Sequence, residues 1–380
     1  MDIPPPHDPE STRALLALVL AEGPLAPRRH LLERHGDPRQ ALREGASAGT
    51  AAGCDTGQVA RLRQPDHAAI DAILAWRDGG RRHVVGLHDP DYPALLRRTA
   101  NPPLALFIEG DPALLWHPAI AVVGSRSPSA GGRDHARSFS RAICRAGLAI
   151  VSGMAAGIDA AAHGVALDMH GTTVAVLGTG PDVAYPAHHH ELRERIAAQG
   201  AIVSEYPPGT GPRTGQFPAR NRIIAGLALG TLVVEAAHRS GALITARLAS
   251  EAGREVFAIP GSIHNPMARG CHRLIRDGAT LVEQPGDVLD GVAALSAELA
   301  TALQDRLDEA ERALTPALAA PAFPDPDYHT LWTALGHDPT PMDSLVERTG
   351  LTAATLSSML LLMELEGRVV VEHGRYARHS

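Results

Sequence analysis

Eight short apolar runs recur between residues 83 and 261: HVVGL, LALFIEG, AIAVVGS, LAIVSG, TTVAVLG, AIVSE, TLVVEA and EVFAIPG. They are rich in β-branched residues and do not alternate apolar with polar positions, which is the pattern of strands buried on both faces. Helical stretches separate most of the runs after AIAVVGS. That alternation predicts a mainly parallel, doubly wound, Rossmann-like α/β sheet over residues 81–292.

Residues 1–80 read as helical. STRALLALVLAEG opens at a Ser/Thr cap, RRHLLERHG closes on glycine, and DHAAIDAILAWRDGG is amphipathic, with GASAGTAAGCDTG (45–57) as a flexible connection. Such helices suit either a small DNA-binding module or a packing cap. Residues 293–326 read as the end of a long helix (about 286–314) and a linker, because Pro316, Pro321, Pro324 and Pro326 interrupt regular structure.

Residues 327–380 carry a pattern of their own. Thr340-Pro341-Met342-Asp343 reads as a capping box with proline at the first helical position, and that helix ends at Gly350. Thr352 caps a second helix, AATLSSMLLLMELEG, and RVVVEHGRYAR supplies two strands around Gly374. This is the order of a winged helix. Its second helix has no arginine between Thr352 and Gly367, where a DNA reader needs cations, so a protein-contact or regulatory role fits equally well.

Composition narrows the function. With 44% hydrophobic residues the chain of 380 can bury a core, which excludes global disorder. The net charge is 35 − 42 = −7, so any nucleic-acid function must rest on a local patch. Aromatics at 3% argue against recognition built on many stacked bases. All 35 basic residues are arginine, which excludes a Walker A lysine, a Schiff-base lysine and a kinase-type lysine. Cys54, Cys144 and Cys271 form no CxxC pair, pointing to a reducing compartment. The run ALLALVLA (14–21) is too short to span a bilayer and follows acidic residues, so a cytoplasmic protein without a membrane segment is expected.

The candidate chemistry lies in loops after the strands, where helix N-termini offer free N–H groups. Gly124-Ser125-Arg126-Ser127 follows one strand, Ser152-Gly153 and Gly157-Ile158-Asp159 the next, then Gly178-Thr179-Gly180, and finally Ser240-Gly241. One such loop would be an ordinary tight turn; four in one sheet suit a phosphate chain. Arg126, Arg133, Arg137, Arg141 and Arg145 cluster in residues 119–147 against only Asp134. FPARNRIIAG (217–226) reads as a helix from Pro218, with Arg220, Asn221 and Arg222 in its first turn and Phe217 before it. Arg220 shares the buried face of Ile223, Ile224 and Leu227, and Arg222 points nearly opposite.

Other patterns carry less. Gly178-Thr179-Gly180 lacks the third glycine of a dinucleotide fingerprint, and Gly45-Ala46-Ser47-Ala48-Gly49 follows no strand. His188, His189 and His190 are adjacent, and His264 with Cys271 and His272 is a weak metal pattern, so no metal and no cofactor is expected. Asp159 and His163 are spaced to pair on one helix. Glu205 and Glu235, at strand ends, are the best candidates for a catalytic carboxylate.

VGSRSPS, SGMAAGIDAAAH, TVAVLGTGPDVAYP, FPARNRIIAG, VVEAAHRSGALITARLA and GREVFAIPGSIHNPMARGCHRLIRDGA closely resemble the DNA-processing protein A family (DprA, also called Smf). The resemblance covers about 81–290 in order, and the flanks resemble that family's N-terminal helical (SAM-like) and C-terminal winged-helix domains. It implies an extended Rossmann-fold homodimer that is not an enzyme. Such a protein binds single-stranded DNA without strong sequence preference and loads RecA onto it, chiefly in natural transformation. The family's DNA-contact positions fall on Ser125, Arg126, Ser152, Gly153, Arg220, Asn221, Arg222, Ser240 and Gly241, and Gly124, Gly157, Gly178, Gly180 and Phe217 complete the candidate set. Some relatives use pocket lysines, which arginines must replace here. Two rivals are a nucleoside-monophosphate phosphoribohydrolase-like enzyme, whose PGGxGTxxE loop is absent, and a winged-helix transcription regulator.

Overall fold

The computed structural model describes residues 8–314, 326–336, 338–365, 368–372 and 374–378. It divides into two compact units, Met1–Leu303 and Gln304–Ser380.

The first unit opens with α1 (Pro9–Leu20), α2 (Leu25–His35), α3 (Pro38–Ala48), α4 (Thr56–Arg63) and α5 (His67–Arg77). Four of the five start on an aspartate: Asp8, Asp37, Asp55 and Asp66 each accept a backbone N–H of the first turn. A carboxylate satisfies an orphan donor and also faces the positive end of the helix dipole. Asp8 thus displaces the expected Ser/Thr cap, and Ser11 and Thr12 are buried inside α1. The connection expected from residue 45 begins later, because Gly45 is a helical residue of α3 packed against Leu31 and Leu62. Leu15, Leu18, Leu31 and Leu32 share one core with Leu104, Leu106 and Ile108. The division expected at residue 80 therefore separates helices from strands, but not one hydrophobic core from another.

The chain continues through β1 (Arg82–Gly86), α6 (Ala94–Arg97), β2 (Ala105–Gly110), β3 (Ala119–Gly124), α7 (Ala130–Arg145), β4 (Ala149–Ser152), α8 (Ile158–Asp168) and β5 (Thr173–Val176). It goes on with α9 (His190–Gln199), β6 (Ala201–Ser204), α10 (Gln216–Leu227), β7 (Gly230–Val234), α11 (Ala242–Glu251), β8 (Glu255–Ala258), α12 (Arg269–Arg276), β9 (Thr280–Leu281) and α13 (Pro285–Leu314). All eight expected strands are present; β9, at two residues, is too short to read from periodicity. Among the described residues the strand order is β1-β2-β6-β5-β4-β3-β7-β8-β9. The β1/β2 and β2/β6 pairs are antiparallel and the rest parallel.

Alternation along β3 sorts the two faces. Ile120 and Val122 pack with Ala136, Phe139 and Ile143 of α7 and with Ile158 and Ala162 of α8. Ala121 and Val123 pack with Ile223, Ile224 and Leu227 of α10. Burial on both faces explains the continuous apolar runs.

The second unit contains α14 (Pro326–Ala334), β10 (Thr340–Pro341), α15 (Met342–Thr349), α16 (Ala353–Leu365), β11 (Val369–Glu372) and β12 (Arg375–Arg378). Leu331, Leu345, Leu356, Leu360, Met363 and Val369 form its core, and the strand order is β10-β12-β11, that of a winged helix. Thr340 is not a cap. It pairs with Tyr376 across the small sheet, and α15 starts one residue after Pro341 without a side-chain cap. Thr352 does cap α16, accepting the Thr355 N–H at 3.3 Å. The linker prolines 316, 321 and 324 lie outside the described residues. No described helix is long and apolar enough to cross a membrane.

Candidate nucleic-acid interface

Chain order reverses at β3, which pairs with β4 on one side and β7 on the other. Ligand crevices of open α/β sheets lie at such switch points, beyond the carboxyl ends of the strands. A cleft of about 650 Å³ sits there, lined by Gly124, Arg126, Asp159, Phe217, Arg220, Asn221, Ser240 and Gly241 among others. The first residues of both α10 and α11 line it, so two helix N-termini contribute partial positive charge.

The cations differ in kind. Arg126 is exposed on the loop after β3 and makes no ion pair or side-chain hydrogen bond among the described residues. Arg220, only 5% exposed, is pinned: Nη1 donates to Gly153 O at 2.7 Å and to Val176 O, and Nε donates to Asn221 Oδ1 at 3.0 Å. One side chain thus ties α10 to the ends of β4 and β5. Burial lowers its pKa to about 10, opposed by Asp159, so it stays charged at neutral pH. Asn221 Nδ2 reaches Gly241 O at 3.4 Å, linking α10 to the α11 loop.

The glycines and serines divide into lining and support. Ser240 and Gly241 line the cleft, and Gly124 ends β3 in register with Val234 of β7. Ser125 is buried; its Oγ accepts the Ser127 N–H at 3.1 Å and its carbonyl accepts Ile158 N–H at 3.2 Å, which fixes the Gly157 turn into α8. Ser152 does not reach the cleft, since its Oγ donates to Val122 O at 2.6 Å inside the sheet. Gly178 acts indirectly: a β-carbon there would stand 2.9 Å from the Phe217 ring. Gly180 turns away and donates to Thr210 O at 2.9 Å.

Arg222 leaves the expected set. It points off the opposite side of α10 and pairs bidentately with Glu205, at 2.8 and 2.7 Å, with both side chains about one-sixth exposed. Its charge is consumed, and so is that of Glu205. Glu235 is likewise committed, in a left-handed conformation at φ 54. It accepts from Ser129 N at 2.8 Å, Ser129 Oγ at 2.6 Å and Asn265 Nδ2 at 3.1 Å, holding the start of α7 against the 262–268 loop.

Asp159 and His163 do not pair. Asp159 accepts the N–H groups of Gly153 at 3.1 Å and Ala155 at 3.3 Å, while His163 Nδ1 shares a 2.7 Å bond with Thr173 Oγ1. Burial raises the Asp159 pKa, against the pull of Arg220. Cys271 is buried with its sulfur against Val233 O, and His272 bonds to Gly261 O.

One aromatic lining residue escapes the sequence reading. Tyr185, 41% exposed, packs on Phe217 with ring centroids 4.8 Å apart. Together with Arg126 and Arg220 they also line an adjoining pocket of about 220 Å³. Two partly exposed rings beside free cationic charge make a surface for stacking a base. The signal available was an aromatic next to proline in a chain poor in aromatics, within a motif already singled out for its glycines.

A family model for DNA recombination-mediator protein A matches residues 83–293, and one for the DprA winged helix domain matches residues 313–375. Protein Smf of Escherichia coli (strain K12) is 39% identical over 323 residues, covering 84% of this chain and 84% of its own length. DNA processing protein DprA of Streptococcus pneumoniae is 49% identical over 203 residues, covering 53% and 71%. The X-ray structure of S. pneumoniae DprA superposes with a TM-score of 0.67 at 38% identity, over 74% of this chain and 98% of that one. A structure of DNA processing protein A from Helicobacter pylori, described for its single-stranded DNA binding mode, gives 0.50 at 27% identity, over 60% and 99%. With the match running through the whole parallel sheet and on into the winged helix, the chain belongs to the DNA recombination-mediator protein A family, the DprA/Smf proteins.

Proposed function

We propose that this chain binds single-stranded DNA in the cleft at the β3/β7 switch point, without strong sequence preference, and loads RecA onto it during natural transformation. The observation that carries the reading is Arg126, an exposed cation without an ion-pair or hydrogen-bond partner among the described residues, at the mouth of a cleft lined by two helix N-termini and the Tyr185–Phe217 pair. Phosphate meets the guanidinium and the helix ends, while a base meets the rings. The single-stranded DNA binding described for the H. pylori relative supports the assignment.

The protein acts as a mediator and not as a hydrolase. The two carboxylates that would suit catalysis, Glu205 and Glu235, are held by Arg222 and by Ser129 with Asn265. It works in the cytoplasm as a homodimer through the sheet domain; the short edge strand β9 with Leu281 45% exposed, and Ile263 75% exposed on the loop after β8, support such a contact. The exposed side of α16 carries Ser357, Ser358, Leu361 and Leu362, which suits protein better than phosphate.

Titration of the purified protein with single- and double-stranded oligonucleotides tests binding, and RecA filament growth on the bound strand tests loading. Preference for the single strand and faster filament growth are expected. Equal affinity for duplex, or release of ribose 5-phosphate from nucleotides, overturns the reading.

A further inference from the structure

The helix leaving the cleft carries an unused charge. On α7, Ala136, Phe139 and Ile143 face the core, and Arg133, Arg137, Arg141 and Arg145 are all exposed. Their spacing of four residues sets the arginines one above another, shifted by about 40° per step, over about 18 Å of helix. Among the described residues only Arg137 meets a carboxylate, Asp134 at 3.5 Å, in a pair more than half exposed. Arg133 donates to Pro128 O at 3.1 Å, and among the described residues Arg141 and Arg145 have no ion-pair or hydrogen-bond partner. Each arginine repels the next across a helical turn, an unfavourable pattern that among the described residues only the exposed Asp134 offsets, and only in part. This sits in a chain whose net charge is −7. A covering polyanion would remove the repulsion.

The stripe is continuous with the site. The loop Arg126–Ser129 joins the cleft to α7, and Arg133 bonds back to that loop at Pro128 O. The N-terminus of α7 is already occupied by Glu235 through Ser129. The free positive charge of this helix therefore comes from its side chains.

Resting on the proposed single-strand binding, we infer that the α7 arginines form a phosphate track which carries the strand out of the cleft and along the outer face of the sheet. The ligand is the sugar–phosphate backbone of a single strand, read without base contacts. At about 3.4 Å per stacked nucleotide the stripe spans about five nucleotides, so the total site exceeds what the cleft alone holds.

The test compares oligonucleotide lengths in the full-length protein. A triple substitution, Arg137→Ala with Arg141→Ala and Arg145→Ala, alters exposed positions and leaves the cleft intact. An oligothymidylate of about two nucleotides, short enough for the cleft of about 650 Å³ and too short to reach along α7, should bind wild type and variant alike, whereas one of about thirty should bind the variant at least tenfold more weakly. The salt slope for the long strand should fall by about 2, at roughly 0.7 per lost phosphate contact. A triple lysine variant should keep most of that slope, because the track needs charge and not the guanidinium fork. Unchanged long-strand affinity in the alanine variant overturns the track while leaving the cleft assignment in place. Equal loss at both lengths also overturns it, since the substitutions would then act through the cleft or the fold. A wild-type protein that binds neither strand refutes the cleft reading and the track together.

Discussion

The guanidinium of Arg220 occupies the space that a side chain on residue 153 would need. A β-carbon at Gly153 would lie 2.2 Å from Arg220 Nη2, while the Gly153 carbonyl accepts Arg220 Nη1 at 2.7 Å. Position 153 is thus glycine because an arginine from another element fills it. The guanidinium cannot simply swing away, since Val176 O and Asn221 Oδ1 hold it too. Gly153→Ala should destabilise the sheet unit by about 1–3 kcal/mol, the usual range for overpacking a tight core. Thermal melts check this; an unchanged melting temperature would show that Arg220 is not pinned.

Arg126 should behave in the opposite way. A charge-assisted bond to phosphate is worth about 1.5–3 kcal/mol, so Arg126→Ala should weaken single-strand binding roughly 10- to 150-fold. Its melting temperature should stay at the wild-type value, because an exposed loop arginine contributes little to the core. Arg126→Lys should recover part of the affinity. Fluorescence anisotropy at one salt concentration, with melts alongside, separates the binding role from a structural one.

Arg222 and Glu205 should matter for stability and not for DNA. Arg222→Ala strands a carboxylate that is about 15% exposed, so a loss of about 1–3 kcal/mol is expected. Affinity per folded molecule should remain within twofold of wild type, roughly 0.4 kcal/mol. Denaturant titration combined with active-site counting by tight oligonucleotide would reveal a direct DNA role as lost affinity at full folding.

Acid should loosen the fold through His163. Burial and the nearby Arg220 charge lower its pKa from 6.5 to about 3, so the folded protein holds the ring neutral. The unfolded chain binds that proton first. The stability tied to the neutral ring is therefore fully present above pH 6.5 and is lost as the pH falls from there toward 3. Between pH 6.5 and 5 the loss is about 2 kcal/mol, at about 1.4 per unit. Half-buried His83 and His88 act in the same sense, and the raised pKa of Asp159 acts against it. His163→Gln should flatten this limb when unfolding free energy is compared at pH 7 and pH 5. An equal slope in both proteins would place the acid sensitivity elsewhere.

Strands, helices and the direction of each arginine on α10 could be read from the chain, because they depend on neighbours in sequence. Runs such as AIAVV, short, rich in β-branched residues and closed by glycine, fit strands covered on both faces, and about 100° per residue sends Arg220 toward Ile223 and Ile224 and Arg222 away from them. The cap at Asp8 and the true start of α15 were missed, since several polar residues near a helix start compete and the winner depends on what else they can meet. Thr340 met Tyr376 on a strand from the end of the chain. What each arginine touches was decided only in three dimensions. Arg220 meets carbonyls 67 and 44 residues away and Arg222 a carboxylate 17 residues away, so two cations that look equivalent in sequence become a buried tie and a neutralised pair. Glu235 changed in the same way, from an apparent catalytic acid to the anchor of α7. Charge in a sequence is a local fact; whether it is free to bind depends on what the fold brings against it.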